Sequence, residues 1–147
     1  MKILLVEDNP TNCFLLSDYL EHCGYHVHAI TCSDLFFSTL GWFYPDLILL
    51  DLKMPRIDGY TLLEEVKSYP QWSHIPIIVI SALSFRAHQA KAFQLGASRY
   101  FVKPIVPDEL RQAIQEEAVH LEYRENEQPT MSPSVLPFSV VTQAQVC

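Results

Sequence analysis

The chain is poor in glycine. Its four glycines stand at 24, 41, 59 and 96, and none are spaced as in the Gly-rich loops that cradle dinucleotides or nucleoside triphosphates. A flavin or dinucleotide site would want such a loop directly after the first strand. The sequence has Glu7-Asp8-Asn9-Pro10 there, and those acids repel phosphate. Positive charge is also scarce. Ten Lys and Arg against seventeen Asp and Glu leave a net charge of −7, which argues against direct binding to DNA or RNA, whose affinity comes mainly from cations on phosphates. No apolar stretch approaches the ~20 residues that span a bilayer. The run Ile3–Val6 is too short for a secretory signal and ends in acids. A soluble, cytoplasmic protein without membrane contact is expected. Cys13, Cys23, Cys32 and Cys147 make no C-x-x-C pair and no zinc spacing. Cys13 and Cys23 share a helical stripe with Leu16 and Leu20, so both are expected in the core.

What the sequence does have is a series of short apolar runs, each ending in a polar residue. The most informative is Asp46-Leu47-Ile48-Leu49-Leu50-Asp51-Leu52-Lys53-Met54-Pro55. Four consecutive apolar residues that run into an acid, with Pro55 as the stop, fit a strand buried on both faces. Ile3–Val6 runs into Glu7-Asp8, Ile75–Ile80 into Ser81-Ala82, and Arg99–Val102 into Lys103-Pro104. The segment Tyr25–Ile30 is the most polar of the set and is expected near a sheet edge. Helices fill the gaps. Asn9-Pro10 caps the first, which Gly24 closes. Ser33-Asp34 caps a second over about 35–40, in a region crowded with Phe36, Phe37, Trp42, Phe43 and Tyr44. These aromatics either pack under the helix or form an exposed contact patch. A third helix follows Asp58-Gly59 and carries Leu62, Leu63 and Val66. A fourth covers about 85–95. The fifth opens at Pro107-Asp108-Glu109 and runs to about His120.

Strand and helix alternate five times, which predicts an α/β fold with a five-stranded parallel sheet and helices on both faces. The flavodoxin-like order 2-1-3-4-5 is the natural choice. Residues 1–121 form this domain. Residues 122–147, with Pro129, Pro133 and Pro137 in a Ser/Thr/Gln-rich context, are expected to be a mostly disordered tail, with 138–141 at most adding a strand to something else.

In a parallel sheet all the carboxyl ends lie on one edge. That edge would gather Glu7, Asp8, Asp51, Ser81 and Lys103. Crowded carboxylates repel by about 4 kcal/mol at ~4 Å and an effective dielectric of 20, so either a proton or a cation must relieve them. Oxygen ligands of this kind suit Mg²⁺ (or Mn²⁺). Asp51 is then the candidate nucleophile, through an aspartyl-phosphate intermediate. Lys103 would pair with Asp51 at rest and with phosphoryl oxygens afterwards, and Ser81 would donate to those oxygens beside the small Ala82. Taken one at a time, a strand-end Asp is usually a cap and a Lys usually solvated. The agreement of four strand ends favours a site.

The motifs Val6-Glu7-Asp8-Asn9, Asp46 to Asp51 with Met54-Pro55 and Asp58-Gly59, Ser81-Ala82, Gly96-Ala97 and Tyr100-Phe101-Val102-Lys103-Pro104 resemble, in spacing and order over residues 1–120, the receiver domain of two-component response regulators. The resemblance implies phosphoryl transfer to Asp51 from a sensor histidine kinase or a His phosphotransfer protein. It also implies Mg²⁺ held by Glu7, Asp8, Asp51 and the backbone carbonyl of Lys53. Ser81 and Tyr100 would move on phosphorylation, Lys103 would contact the phosphoryl group, and the Lys103–Pro104 bond would be cis. Lys53 and Leu83, two residues after Asp51 and Ser81, would flank the hydrolysing water and tune the lifetime. Such a chain catalyses its own phosphorylation and dephosphorylation rather than turnover of an external substrate. It would work by docking, as a relay to a downstream regulator or as a switch on an effector, and a homodimer through the fourth-helix face is compatible with it. An aspartate-based phosphatase would want a second acid two residues after the nucleophile, where Lys53 stands. A degenerate receiver used only as an interaction module is the remaining alternative.

Overall fold

Alternation of faces along the buried strands decides the architecture. The computed structural model describes residues 1–127. Strands β1 (Lys2–Val6), β2 (His26–Ile30), β3 (Leu47–Leu50), β4 (Ile77–Ser81) and β5 (Arg99–Val102) form one parallel sheet in the order β2-β1-β3-β4-β5, as the sequence predicts. Ile3 and Leu5 of β1, Leu47 and Leu49 of β3, and Ile78 and Ile80 of β4 point to one face. There they meet Cys13 and Leu20 of α1 (Pro10–His22) and Leu110, Ala113 and Ile114 of α5 (Pro107–Glu127). Their neighbours Leu4, Val6, Ile48, Leu50, Ile77 and Val79 point to the other face. They pack on Phe36, Leu40 and Phe43 of α2 (Phe36–Phe43), on Leu62, Leu63 and Val66 of α3 (Gly59–Ser68) and on Ala92 of α4 (Arg86–Gln94). Because side chains alternate with period two, a strand covered by helices on both sides must be apolar at every position. All four residues of β3 are buried.

Local signals set the helix starts. Asn9 accepts a bond from the Asn12 N–H at 3.1 Å, with Pro10 as the first helical residue. Asp58 does the same for the Tyr60 N–H at 3.1 Å. Gly24, at φ +93°, turns the chain out of α1. β2 is an edge strand, which fits its polar composition.

Three expectations need correction. Cys13 is buried, but Cys23 is exposed. It is the C-cap of α1, where the chain is already leaving the helix and the apolar stripe no longer faces the sheet. The second helix begins with a short 3₁₀ turn over Ser33–Leu35 and then runs to Phe43. Of its aromatic cluster Phe36 and Phe43 are core, while Trp42 and Tyr44 are exposed. The last helix reaches Glu127 rather than about His120. Leu121, Glu122, Arg124, Glu125 and Glu127 favour helix, and no Pro or Gly intervenes before Pro129. The helix thus continues six residues past the expected domain boundary at 121. Residues 128–147, with the segment 138–141, lie outside the described residues.

Gly59 fixes how α3 meets β3. A Cβ there would stand 2.4 Å from Leu52 Cα and 2.6 Å from the Asp51 carbonyl oxygen, so helix and strand end touch backbone to backbone. Gly41, within α2, has nothing within 4 Å of the same position. Gly59→Ala is expected to destabilise the protein by about 1–3 kcal/mol through overpacking. Gly41→Ala is expected to stabilise it by about 0.5–1 kcal/mol through helix propensity and lost chain entropy. Urea denaturation midpoints of the two variants, moving in opposite directions from the parent, check both.

Candidate functional site

The sheet ladder continues one residue beyond the strands and holds the acids in place. The Glu7 N–H donates to Ile30 O at 3.1 Å, the Asp51 N–H to Val6 O at 3.0 Å and the Lys103 N–H to Ser81 O at 2.9 Å. Backbone pairing thus delivers residues distant in sequence to one place. Lys103 Nζ donates to Glu7 Oε2 at 2.6 Å and to Asp51 Oδ2 at 2.9 Å. The other oxygens are also engaged: Asn9 N–H donates to Glu7 Oε1 at 3.2 Å, and Lys53 N–H to Asp51 Oδ1 at 3.0 Å. Glu7 and Asp51 are 1% and 3% exposed, an unusual degree of burial for carboxyl groups.

Charge decides what this cleft can hold. One oxygen from each of Glu7, Asp8 and Asp51 lies within 4.8 Å of the others. Three carboxylates and the Lys103 ammonium sum to −2. Burial pushes the Glu7 carboxyl up; Lys103 and the Asn9 N–H pull it down, Asp51 adds repulsion, and it ends above its ordinary value. Burial pushes Lys103 down, but its bonds to Glu7 and Asp51 outweigh that and raise it. A site of oxygen donors with two uncompensated negative charges fits a hard divalent cation. The cleft of about 530 Å³ is lined by Asp8, Asn12, Lys53, Met54 and Ala82 as well as the buried acids and Lys103.

Ser81 lies at the same sheet edge but is fully buried, and its hydroxyl accepts the Leu83 N–H at 3.2 Å; Ala82, not Ser81, lines the cleft. Tyr100 is half-buried and turned inward, its hydroxyl donating to Leu83 O at 2.6 Å. The loop after β4 is thus held at Leu83 from both sides, and Leu83 packs with Tyr100 against the core. Lys53 is exposed beside Asp51, and the Lys103–Pro104 bond is cis.

Several site residues were not legible in the sequence. Asn12 lines the cleft one position short of a helical turn after the cap Asn9, and its place on α1 was the only hint. The loop after Asp51 is tied to the 3₁₀ turn. Ser33 Oγ donates to Pro55 O and accepts the Ile57 N–H, each at 3.4 Å, and Arg56 pairs with Asp34. Tyr60, the residue after Gly59, donates its hydroxyl to the His88 carbonyl of α4 at 3.1 Å.

The profile of the response regulator receiver domain matches residues 3–115. The chain belongs to that family. Receivers are the phosphorylation-accepting modules of two-component response regulators. This receiver is 37% identical over 109 residues to the transcriptional regulatory protein BaeR of Escherichia coli, covering 74% of this chain and 44% of BaeR. It is 35% identical over 104 residues to the response regulator PleD of Caulobacter vibrioides, covering 71% of this chain and 23% of PleD. It spans about half, or less, of the length of the curated relatives it matches. The BeF3-activated N-terminal receiver domain of Klebsiella pneumoniae RstA matches with a TM-score of 0.75 at 29% identity, covering 80% of this chain and 97% of that one. The receiver domain of the sensor histidine kinase PA1611 of Pseudomonas aeruginosa, with a magnesium ion in its active site cleft, matches at 0.72 and 30% identity, covering 78% and 94%.

Lys103 is the cation on which the metal-free receiver's acids depend. Lys103→Met is expected to cost about 3 kcal/mol at pH 7, as for a broken buried ion pair. The loss should shrink toward pH 5. A carboxyl whose folded pKa is raised binds more protons in the folded chain than in the unfolded one. It therefore weakens the fold as pH rises through that window and releases the penalty as pH falls. Chemical denaturation of parent and variant at both pH values, without divalent metal, measures the difference. An equal loss at both would overturn the charge account.

Proposed function

We propose that this receiver takes a phosphoryl group onto Asp51 from a phosphohistidine on a sensor histidine kinase or His phosphotransfer protein, and then acts by docking on other proteins. The observation that carries this reading is the convergence of Glu7, Asp8, Asp51 and Lys103 in one cleft, with the Asp51 carboxylate held at each oxygen by a different donor. A carboxylate fixed in this way loses little freedom on attack. An Asp51 oxygen forms the new P–O bond as the P–N bond of the donor breaks. The bonding pair stays on the imidazole nitrogen, which takes up a proton.

Glu7, Asp8, Asp51 and the Lys53 carbonyl are the groups that would hold Mg²⁺ or Mn²⁺, which when bound neutralises charge on the transferring phosphoryl group. Lys103, bridging Glu7 and Asp51 in the structure, would follow the negative charge onto the phosphoryl oxygens. Ser81 would exchange its bond from the Leu83 N–H for donation to the same oxygens, with Ala82 leaving room. Freeing Leu83 alters the contact with Tyr100 and so the face made by α4, β5 and α5, a local charge event that biases a packing element. That face would carry the output to a downstream response regulator or effector, or to a second copy of the chain. In this reading residues 1–121 make no direct DNA contact, and the protein works in the cytoplasm beside the kinase that supplies its phosphoryl group. Use as a phosphorylation-independent interaction module is the rival reading; the complete set of acids, hydroxyl and lysine speaks for chemistry.

Incubation with Mg²⁺ and acetyl phosphate is expected to add the mass of one phosphoryl group in a base-labile linkage. The adduct should vanish with chelator and in Asp51→Asn. A parent protein that stays unmodified, or an Asp51→Asn variant that is modified equally, would favour the interaction module. Lys53→Asn and Leu83→Ala are each expected to hasten loss of the phosphoryl group several-fold, followed by phosphate release. Rates equal to the parent's would remove both residues from the lifetime mechanism.

A further inference from the structure

The amino ends of β4 and β5 face the opposite pole, and there a second cleft has the opposite sign. About 230 Å³ in volume, it is lined by Lys67 near the end of α3, by Ser73 and His74 in the loop to β4, and by Glu117, His120 and Arg124 of α5. Its one carboxylate is already engaged: Arg99 Nε donates to Glu117 Oε1 at 3.1 Å. The rest of the charged lining is the cations Lys67 and Arg124, with the imidazoles of His74 and His120 beside them.

Lys67 is the fixed point. Its ammonium donates to Ser73 O at 3.1 Å and Ile75 O at 2.8 Å. Its stem lies over Gly96, where a Cβ would stand 2.8 Å from Lys67 Cγ. Two carbonyls take two of the three N–H groups, and carbonyls leave the positive charge uncompensated. Burial, and then the like charge of Arg124, push the Lys67 ammonium below its ordinary value, with Glu117 acting weakly the other way. With Glu117 paired to Arg99, neither Lys67 nor Arg124 has an ion-pair partner among the described residues. Residues 128–147, which follow α5, contain no Asp or Glu, so that segment brings no side-chain carboxylate.

We propose that this cleft binds a small multivalent oxyanion of the phosphate-monoester or pyrophosphate class. It is smaller than the ~300–1,000 Å³ of sites for drug-sized ligands. Its donors suit phosphate: a guanidinium that can bind two oxygens at once, a lysine point charge held in place, and two imidazoles. The inference does not rest on phosphorylation of Asp51.

The test is titration of the full chain with pyrophosphate, in chelator and without Mg²⁺, followed by amide NMR shifts. Saturable shifts at Ser73, His74, Gly96, Ser98 and His120 are expected, and sodium chloride at matched ionic strength should not reproduce them. The double variant Arg124→Gln, His120→Gln removes two exposed side chains, so the fold should survive, and affinity should fall about ten-fold. A conservative Arg124→Lys variant should keep most of it. Overturning results are shifts that fail to saturate, shifts centred on Asp51 and Lys103, chloride acting equally, or a double variant that binds as well as the parent.

Discussion

Lys103 stands between two carboxylates that would otherwise repel each other. Like charges ~4 Å apart cost about 4 kcal/mol at an effective dielectric of 20, and hydrogen bonds to charged groups contribute about 1.5–3 kcal/mol each. With bonds of 2.6 and 2.9 Å to Glu7 and Asp51, the lysine offsets most of their mutual repulsion. It leaves Asp8 and the net charge of −2 to another cation. The cleft is therefore poised. It is stable enough for the chain to fold and unbalanced enough that a further cation would change the balance of forces. Lys103 is where it is because the β4–β5 ladder continues to its N–H. The register of the sheet and the electrostatics of the site are one constraint.

The helix that follows the loop after β4 is also the least anchored by apolar burial among the described helices. α3 buries Leu62, Leu63 and Val66 along with Gly59 and Tyr60, each leucine contributing about 1.5–3 kcal/mol. α4 buries only Ala92. It is held chiefly by polar contacts: Tyr60 Oη to the His88 carbonyl, and the Lys91 ammonium 4.3 Å from the Tyr60 ring centre. The loop before it is fixed by Ser81 and Tyr100 at Leu83. Such bonds are worth about 1 kcal/mol each, so α4 can shift at low cost while α3 cannot. Elements that move in switches come from the low-stability end of a fold.

The sheet was readable because burial on both faces forces unbroken apolar runs, and because a polar residue must end each one. That logic yielded Asp51, Glu7, Asp8 and Lys103 without any contact being known. It failed where placement depends on tertiary geometry. Cys23 keeps the helical spacing of a core residue, yet it is the residue at which the helix ends. Ser81 ends its strand as expected, but only coordinates reveal that its hydroxyl faces the Leu83 N–H rather than the open cleft. No pattern in the sequence singles out Tyr60. Its role as a tie to α4 depends on where another helix packs, which no local pattern encodes.

A parallel sheet also sorts residues by pole. Whatever follows a strand goes to one end of the molecule and whatever precedes it goes to the other, however far apart the residues are in sequence. Here the strand exits collect Glu7, Asp8 and Asp51 around Lys103, while the approaches to β4 and β5 collect Lys67 and His74 beside Arg124 of α5, with Arg99 paired to Glu116 and Glu117. A chain with a net charge of −7 is thus polarised rather than uniformly acidic. The two clefts lie at opposite ends of strands four to five residues long, about 15 Å, so direct coupling between them is much weaker than within either cleft. In the proposed reading the acidic pole serves a metal and a phosphoryl group while the basic pole meets a different ligand. Any coupling between them would have to pass through packing, along α3, which carries Gly59 against Asp51 at its start and Lys67 near its end.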